Sequence, residues 1–327
     1  MKFHRRQLLK SVATAVMLPA ISRLTCAQTY PTRPITIIIP FAPGGSTDAI
    51  GRILADRMQT SLGQPAVIVN AGGAGGAIGV GRVARAAPDG YTIDIGQWAT
   101  HVVNGAVYHL DYDLVKDFEA VSLIASNPLL IVARNGLPAD DLKSFVAWLK
   151  ANPDKASQGI PDPGQHAVGL LFQKETGTRF QFVPYRGGAP AFQDLVAGRI
   201  DLMISQAAGA LPQVRAGTIK AYAVMAKSRL ALAPDIPTVD EAGVPGLYDS
   251  PWFGVFAPNG TPMTIISKLN ASLVDALVDP TVRSRFADLG LEIFPRDQQT
   301  PETLAAYQKA DIEKWWPIIK EAGIKGE

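Results

Sequence analysis

The sequence predicts an α/β protein with largely parallel sheets. Three observations carry that expectation. Apolar runs of strand length alternate with amphipathic runs of helical period. Several of those strands end in a glycine-bearing or small-residue loop that opens a helix. The last third of the chain then turns mostly helical.

Residues 1–27 stand outside this pattern. Lys2, Arg5, Arg6 and Lys10 precede an apolar run from Val12 to Ile21, and Thr25-Cys26-Ala27 follows. That is the three-part layout of an export signal cleaved near Ala27. The apolar run is far shorter than the roughly 20 residues that span a bilayer. Arg5-Arg6-Gln7-Leu8-Leu9-Lys10 resembles a twin-arginine motif, and general secretion is the other route open to it. The residues before Cys26 make a poor lipobox. The segment holds five of the 31 basic residues and none of the 29 acidic ones, so the remainder carries a net charge of −3. The basic balance of the whole chain is therefore no sign of nucleic-acid binding. Cys26 is the one cysteine, so the exported chain has no disulfide and relies on core packing. About 300 residues suffice for two domains.

Ile35 to Ile39 reads as the first strand, and Ile50, Ile53, Leu54, Met58 and Leu62 share one face at helical spacing. Between them lies Pro40-Phe41-Ala42-Pro43-Gly44-Gly45-Ser46-Thr47-Asp48, a glycine-rich elbow with a helix starting near Ser46. The first N–H groups of such a helix lack internal partners. Gly44 and Gly45 place no side chain in their way. The elbow therefore reads as a backbone site for a small anion. It has no lysine at the Walker A position, which speaks against a nucleotide phosphate.

Ala66 to Val69 is the next strand, followed by the glycine-rich run 72–76 and a small-residue helix to about Ala86. Tyr91, Ile93 and Ile95 alternate as a strand, and Phe118 to Ala125 and Leu129 to Val132 form two more. Leu142, Phe145, Val146 and Leu149 mark a helix, and so do Val168, Leu171 and Phe172 before Gly177. Phe180 to Val183, the helix of Phe192, Leu195 and Val196, and Ile200 to Ile204 repeat the alternation. Ile219 to Met225 is a further strand. Ile265, Ile266, Leu269, Leu273 and Leu277 form one helical stripe, and Thr300 to Gly323 forms another that Pro317 should kink or split. Besides the elbow, helix-opening loops occur at 96–101, 159–166 and 185–190. Ligands of open α/β sheets sit beyond the carboxyl ends of the strands, so helix N-termini gathered there would favour an anion.

No catalytic or metal constellation stands out. The three remaining histidines, His101, His109 and His166, have no zinc spacing, and neither HExxH nor GxSxG occurs. Ser46 reads as a helix cap rather than a nucleophile. Gly79-Val80-Gly81-Arg82-Val83-Ala84 fits a loose dinucleotide fingerprint, but its first glycine lies well past the strand-to-helix turn. Trp98 is either a ligand wall or a core tryptophan. His166 is either structural or a ligand contact, and His101 leans to a structural role. Arg186 either pairs a second carboxylate or serves as a hinge or surface ion pair. Asp48 reads as an N-terminal helix charge or a brace for the elbow. Trp315-Trp316 reads as a helix packed on the core.

PFAPGGSTDAIGR at 40–52, NAGGAGGAIGVGRVARAAPDGYT at 70–92, VPYRGGAPAFQDLVAGRIDLM at 183–203, IPTVDEAGVPG at 236–246 and APNGTP at 257–262 carry a family resemblance. With Tyr30 to Ile35, Lys116 to Ile124 and Trp252-Phe253-Gly254, they keep family order and spacing from Tyr30 to Gly323. The chain resembles the Bug-type periplasmic receptors of tripartite tricarboxylate transporters. The resemblance implies a type II periplasmic-binding-protein fold of two α/β lobes joined by two crossover strands. Lobe 1 would comprise 28–125 and 252–327, and lobe 2 would comprise 126–251. It implies a receptor, not an enzyme, that holds a small organic carboxylate between the lobes, without cofactor or metal. It further implies a periplasmic monomer serving integral-membrane transporter subunits. By position, the contacts of lobe 1 would be Phe41, Gly44, Gly45 and Ser46, with Trp98, Ala99 and Thr100 alongside. Those of lobe 2 would be Gly164, Gln165, His166, Arg186, Gly187, Gly188 and Gln206. A periplasmic sensory receptor with the same clamp is the alternative reading, and a serine hydrolase using Ser46 is the third. This chain departs from the family at Trp98, at 160–165, at Ser205-Gln206 and at Arg186, all around the presumed pocket.

Overall fold

The computed structural model describes residues 30–185 and 188–325. The export signal expected at 1–27 lies outside the described residues, as do Arg186 and Gly187.

The chain runs β1 (Ile35–Ile39), α1 (Ser46–Leu62), β2 (Ala66–Asn70), α2 (Ala77–Ala84), β3 (Thr92–Gln97) and the short α3 (Asn104–Val107). It continues through β4 (Phe118–Ser126), β5 (Leu129–Arg134), α4 (Leu142–Ala151), β6 (Ser157–Ile160), α5 (Pro163–Thr176), β7 (Gln181–Pro184) and α6 (Gly188–Val196). Then come β8 (Leu202–Gln206), α7 (Ala207–Arg215), β9 (Ile219–Val224) and β10 (Trp252–Pro258). The last elements are α8 (Met263–Val278), α9 (Pro280–Asp288), β11 (Glu292–Ile293) and α10 (Pro301–Glu321).

Two sheets divide these strands. The first has the order β11-β4-β10-β3-β1-β2, the second β7-β6-β8-β5-β9. The sheets are mixed, which corrects the expectation of largely parallel ones. β2, β1 and β3 are parallel, but β10 lies antiparallel between β3 and β4. In the second sheet β7, β6 and β8 are parallel, and β5 runs antiparallel to β8 and β9. β5 and β10 each follow a passage between the sheets, after which the chain enters the new sheet reversed, and the short β11 is antiparallel to β4. The passages lie between β4 and β5 and between β9 and β10. They touch where the Asn127 N–H donates to the Pro251 carbonyl at 2.8 Å.

Burial explains the local structure. Ile35, Ile37, Ile38 and Ile39 are all buried, so β1 is covered on both faces, as a continuous apolar run requires. Full burial of each such side chain is worth about 1.5–3 kcal/mol. On α1, Ile50, Ile53, Leu54 and Met58 cover that sheet. Gly51 lets α1 approach closely, because a Cβ there would lie 2.6 Å from Ile39 Cδ1. Gly79 does the same for α2, whose added Cβ would meet Pro40 Cα at 2.9 Å. That fits packing, not a pyrophosphate, as the role of the second glycine run. A separate apolar cluster under the second sheet joins Leu130 and Val132 to Leu195, Leu211 and Leu230. α10 continues unbroken through Pro317, against the expected split. Its Trp315 is fully buried, with the ring edge-on to Trp98 at 5.2 Å between centroids.

Candidate functional site

The elbow after β1 is held by a carboxylate. Gly44 sits at φ +90°, a backbone setting open to glycine at little cost. Its N–H donates to Asp48 Oδ2 at 2.9 Å. Arg52 Nε donates to the same oxygen at 2.9 Å, and Asn70 Nδ2 donates to Oδ1 at 2.9 Å. Asn70 Nδ2 also donates to the Phe41 carbonyl at 3.1 Å, which ties β2 to the turn. The Arg52 hydrogen bond, helped by those from Gly44 and Asn70, brings the buried Asp48 carboxyl down to about 2. Asp48 is thus the brace of the elbow.

Gly45, extended at φ −81° and ψ 173°, is the N-cap of α1, and no side chain caps this end. Ser46 is therefore the first helical residue and not the cap that its residue type suggested. The start of α7 is likewise uncapped by any side chain, and Gln206 precedes it. Gln206 Oε1 accepts from Asn127 Nδ2 at 3.2 Å. α5 differs, because Asp162 Oδ1 accepts the Gln165 N–H at 2.9 Å and caps it. Asp162 is exposed towards cavity space yet closely surrounded by protein, and that enclosure raises its carboxyl pKa.

These ends meet at a cavity of about 340 Å³. Phe41, Gly45, Ser46 and Thr47 line one side, with Gln97 from the end of β3. Pro161, Asp162, Gln165 and Gly188 line the other side, with Phe192, Ser205, Gln206 and Gly209. A smaller chamber of about 50 Å³ shares Gln97, Asp162, Gln165 and Gln206, and Trp98, Ala99 and Gly164 help to close it. Trp98 is buried, and it forms part of that chamber wall.

Of the residues placed by sequence, Phe41, Gly45, Ser46, Gln165, Gly188 and Gln206 come together in the larger cavity. Trp98, Ala99 and Gly164 lie at the smaller one. Gly44 shapes the turn. Thr100 is fully buried, and its Oγ1 accepts the Gln97 N–H at 3.0 Å. His166 lines a different cavity of about 350 Å³, with Tyr108, Tyr185 and residues 322–325, and its ring lies 4.4 Å from that of Phe182. His101 is interior. It stacks on Phe256 at 4.0 Å, and burial lowers its pKa to about 3, so the ring is neutral. Its Nε2 lies 3.6 Å from Asp94 Oδ2. Burial raises the pKa of that carboxyl well above its ordinary value. Thr47, Gln97, Phe192 and Gly209 are not among the contacts that sequence proposes, and Pro161, Asp162 and Ser205 enter there only as departures from the family around the pocket. Of these, Asp162 alone left a clear local signal, the cap-and-proline start Asp162-Pro163. Among the described residues no group of three or more His, Cys, Asp or Glu is placed to hold a metal, and no helix is long and apolar enough to cross a membrane.

Two α/β lobes whose helix N-termini open on one cavity define a receptor of the two-lobe periplasmic-binding-protein class. Residues 50–324 match the family model of the tripartite tricarboxylate transporter family receptor, and the chain belongs to that family. It is 34% identical to Protein BugT of Bordetella pertussis over 323 residues, 98% of each chain. Among solved structures it is similar to MatC from Rhodopseudomonas palustris with bound malate, at 38% identity and a TM-score of 0.77, covering 89% of this chain and all of that one. It is also similar to an R. palustris protein solved with adipate, at 34% identity and a TM-score of 0.79, covering 90% of this chain and 99% of that one.

Proposed function

We propose that this protein captures a small organic carboxylate in the 340 Å³ cavity and delivers it to integral-membrane transporter subunits. The observation that carries this reading is the pair α1 and α7. Neither has a side-chain cap, α1 follows β1 through the elbow and α7 follows directly on β8, and both start at one cavity. Each such end favours an anion by about 0.3–1 kcal/mol, and by up to ~2 when partly buried. The ligands named for MatC and for its adipate-bound relative support the same chemistry. Backbone N–H groups of the elbow, with Ser46 and Thr47, receive the carboxylate from one lobe. Ser205, Gln206 and Gly188 receive it from the other. In this reading lobe 1 is 28–125 with 252–327 and lobe 2 is 126–251. The protein is a monomer without cofactor, exported through residues 1–27 and free of catalytic turnover.

A thermal-shift screen of mono-, di-, tri- and aromatic carboxylates tests the reading, because a ligand that binds only the native state raises its stability. The best acid should bind far more tightly than its amide. Equal affinity for acid and amide would refute an anion site.

A further inference from the structure

The described part of the cavity wall is not neutral. Among its described residues Asp162 is the one with a formal charge, and no lysine, arginine or histidine is among them. The remaining walls are apolar at Phe41, Pro161 and Phe192 and uncharged amides at Gln97, Gln165 and Gln206. Asp162 also changes what α5 can do. Its Oδ1 already holds the Gln165 N–H, so this helix start is matched with a negative charge before any ligand arrives. The anion is thereby left to α1 and α7. A carboxylate has several acceptor positions, and the cap takes one of them. A second ligand carboxylate near Asp162 would meet a like charge in a confined space, whereas an ammonium or hydroxyl would find an acceptor.

We propose that Asp162 sets specificity, so that this site takes a carboxylate bearing a hydrogen-bond donor at its far end and disfavours a plain dicarboxylate. The inference rests on the carboxylate reading above and narrows it to amino- and hydroxy-carboxylates.

The test uses acids that differ only at the far end. The four-carbon set is 4-aminobutyrate, 4-hydroxybutyrate, butyrate and succinate. The six-carbon set is 6-aminohexanoate, 6-hydroxyhexanoate, hexanoate and adipate. Calorimetric titration of the full chain should show at least one amino or hydroxy acid binding about tenfold more tightly than the dicarboxylate of its length. Asp162→Asn should reverse that order. Asparagine caps a helix as well as aspartate does, so α5 should survive, and a melting curve checks it. Tighter binding of succinate or adipate by the unaltered protein overturns the inference. So does an unchanged order in Asp162→Asn. Both leave the carboxylate reading standing. Binding of none of the eight acids overturns the inference, and if the broad carboxylate screen is also blank the parent reading falls with it.

Discussion

Gly164 lies directly against the indole of Trp98: a Cβ at Gly164 would stand 2.5 Å from Trp98 Cζ3. One residue opens α5 beyond the second sheet, and the other follows β3 of the first. Their contact closes the small chamber behind the cavity. Gly164→Ala should therefore push the two lobes apart or displace the ring. We expect a loss of about 1–3 kcal/mol in urea unfolding, with changed tryptophan fluorescence. Unaltered stability and emission would show that the contact yields freely.

Gly45→Val should abolish carboxylate binding and leave the fold intact. Gly45 has an ordinary extended backbone, and an added Cβ there meets nothing nearer than the Ala42 carbonyl at 4.0 Å. The new side chain has room in the protein but stands at the cavity wall. Calorimetry would show no heat of binding while the melting temperature stays close to that of the parent. Retained affinity would remove the elbow from the site.

The Asp48 brace should govern the acid limb of stability. Its folded pKa, about 2, lies below the ordinary aspartate value of 3.8. Its contribution is thus fully present above about pH 4 and disappears as pH falls towards 2. Asp48→Ala should cost about 1–3 kcal/mol at neutral pH, weaken ligand binding and flatten stability below pH 4. A variant curve parallel to the parent's through that window would contradict the assignment.

Asp249 should act with the opposite sign. It is buried in the return passage, and desolvation, reinforced by Asp311 and opposed by Lys314, brings its carboxyl up to about 7. The folded state then holds a proton that the unfolded chain has released, so stability falls as pH rises from about 4 to about 7. Asp249→Asn should lose that slope and be more stable than the parent at pH 8. Chemical denaturation at pH 5 and pH 8 measures both. A variant less stable at pH 8 would show that the carboxylate makes a needed contact.

Ligand should close the cleft. The cavity walls come from both lobes, so a ligand touching both favours the closed arrangement. Small-angle scattering should record a slightly smaller radius of gyration at saturation. Identical profiles, with binding verified by calorimetry, would place the ligand within one lobe.

The elbow could be read from residues 40–48 because its causes are local: a buried apolar strand, two glycines and a helical stripe follow one another directly. Asp48 as its brace was legible for the same reason, being one turn from Arg52. Trp98 against Gly164 was not, because that contact depends on which loops of two lobes meet. The places of Phe192 and Gly209 in the cavity share that dependence. Strand direction was hidden as well. β5 reads as an apolar strand and β10 does not appear among the strands read from sequence, and nothing in an apolar run says which way it enters a sheet. His101 shows the converse case, a histidine beside a helix-opening loop that tertiary packing takes into the core under Phe256.

The position of β10 between β3 and β4 also sets an order of assembly. All five strands of the second sheet lie between residues 129 and 224, whereas the first sheet lacks an inner strand until residue 258 exists. Before then β4 has no hydrogen-bonded link to β3, β1 and β2. A chain emerging from its N-terminus can thus complete the inserted lobe while the enclosing one is still in two pieces, and the pairing of β10 with β3 and β4 is long-range in sequence. Among the described residues the last to line the larger cavity is Gly209. Truncation beyond it would spare every wall residue and still leave the wall built on α1 without a finished sheet behind it.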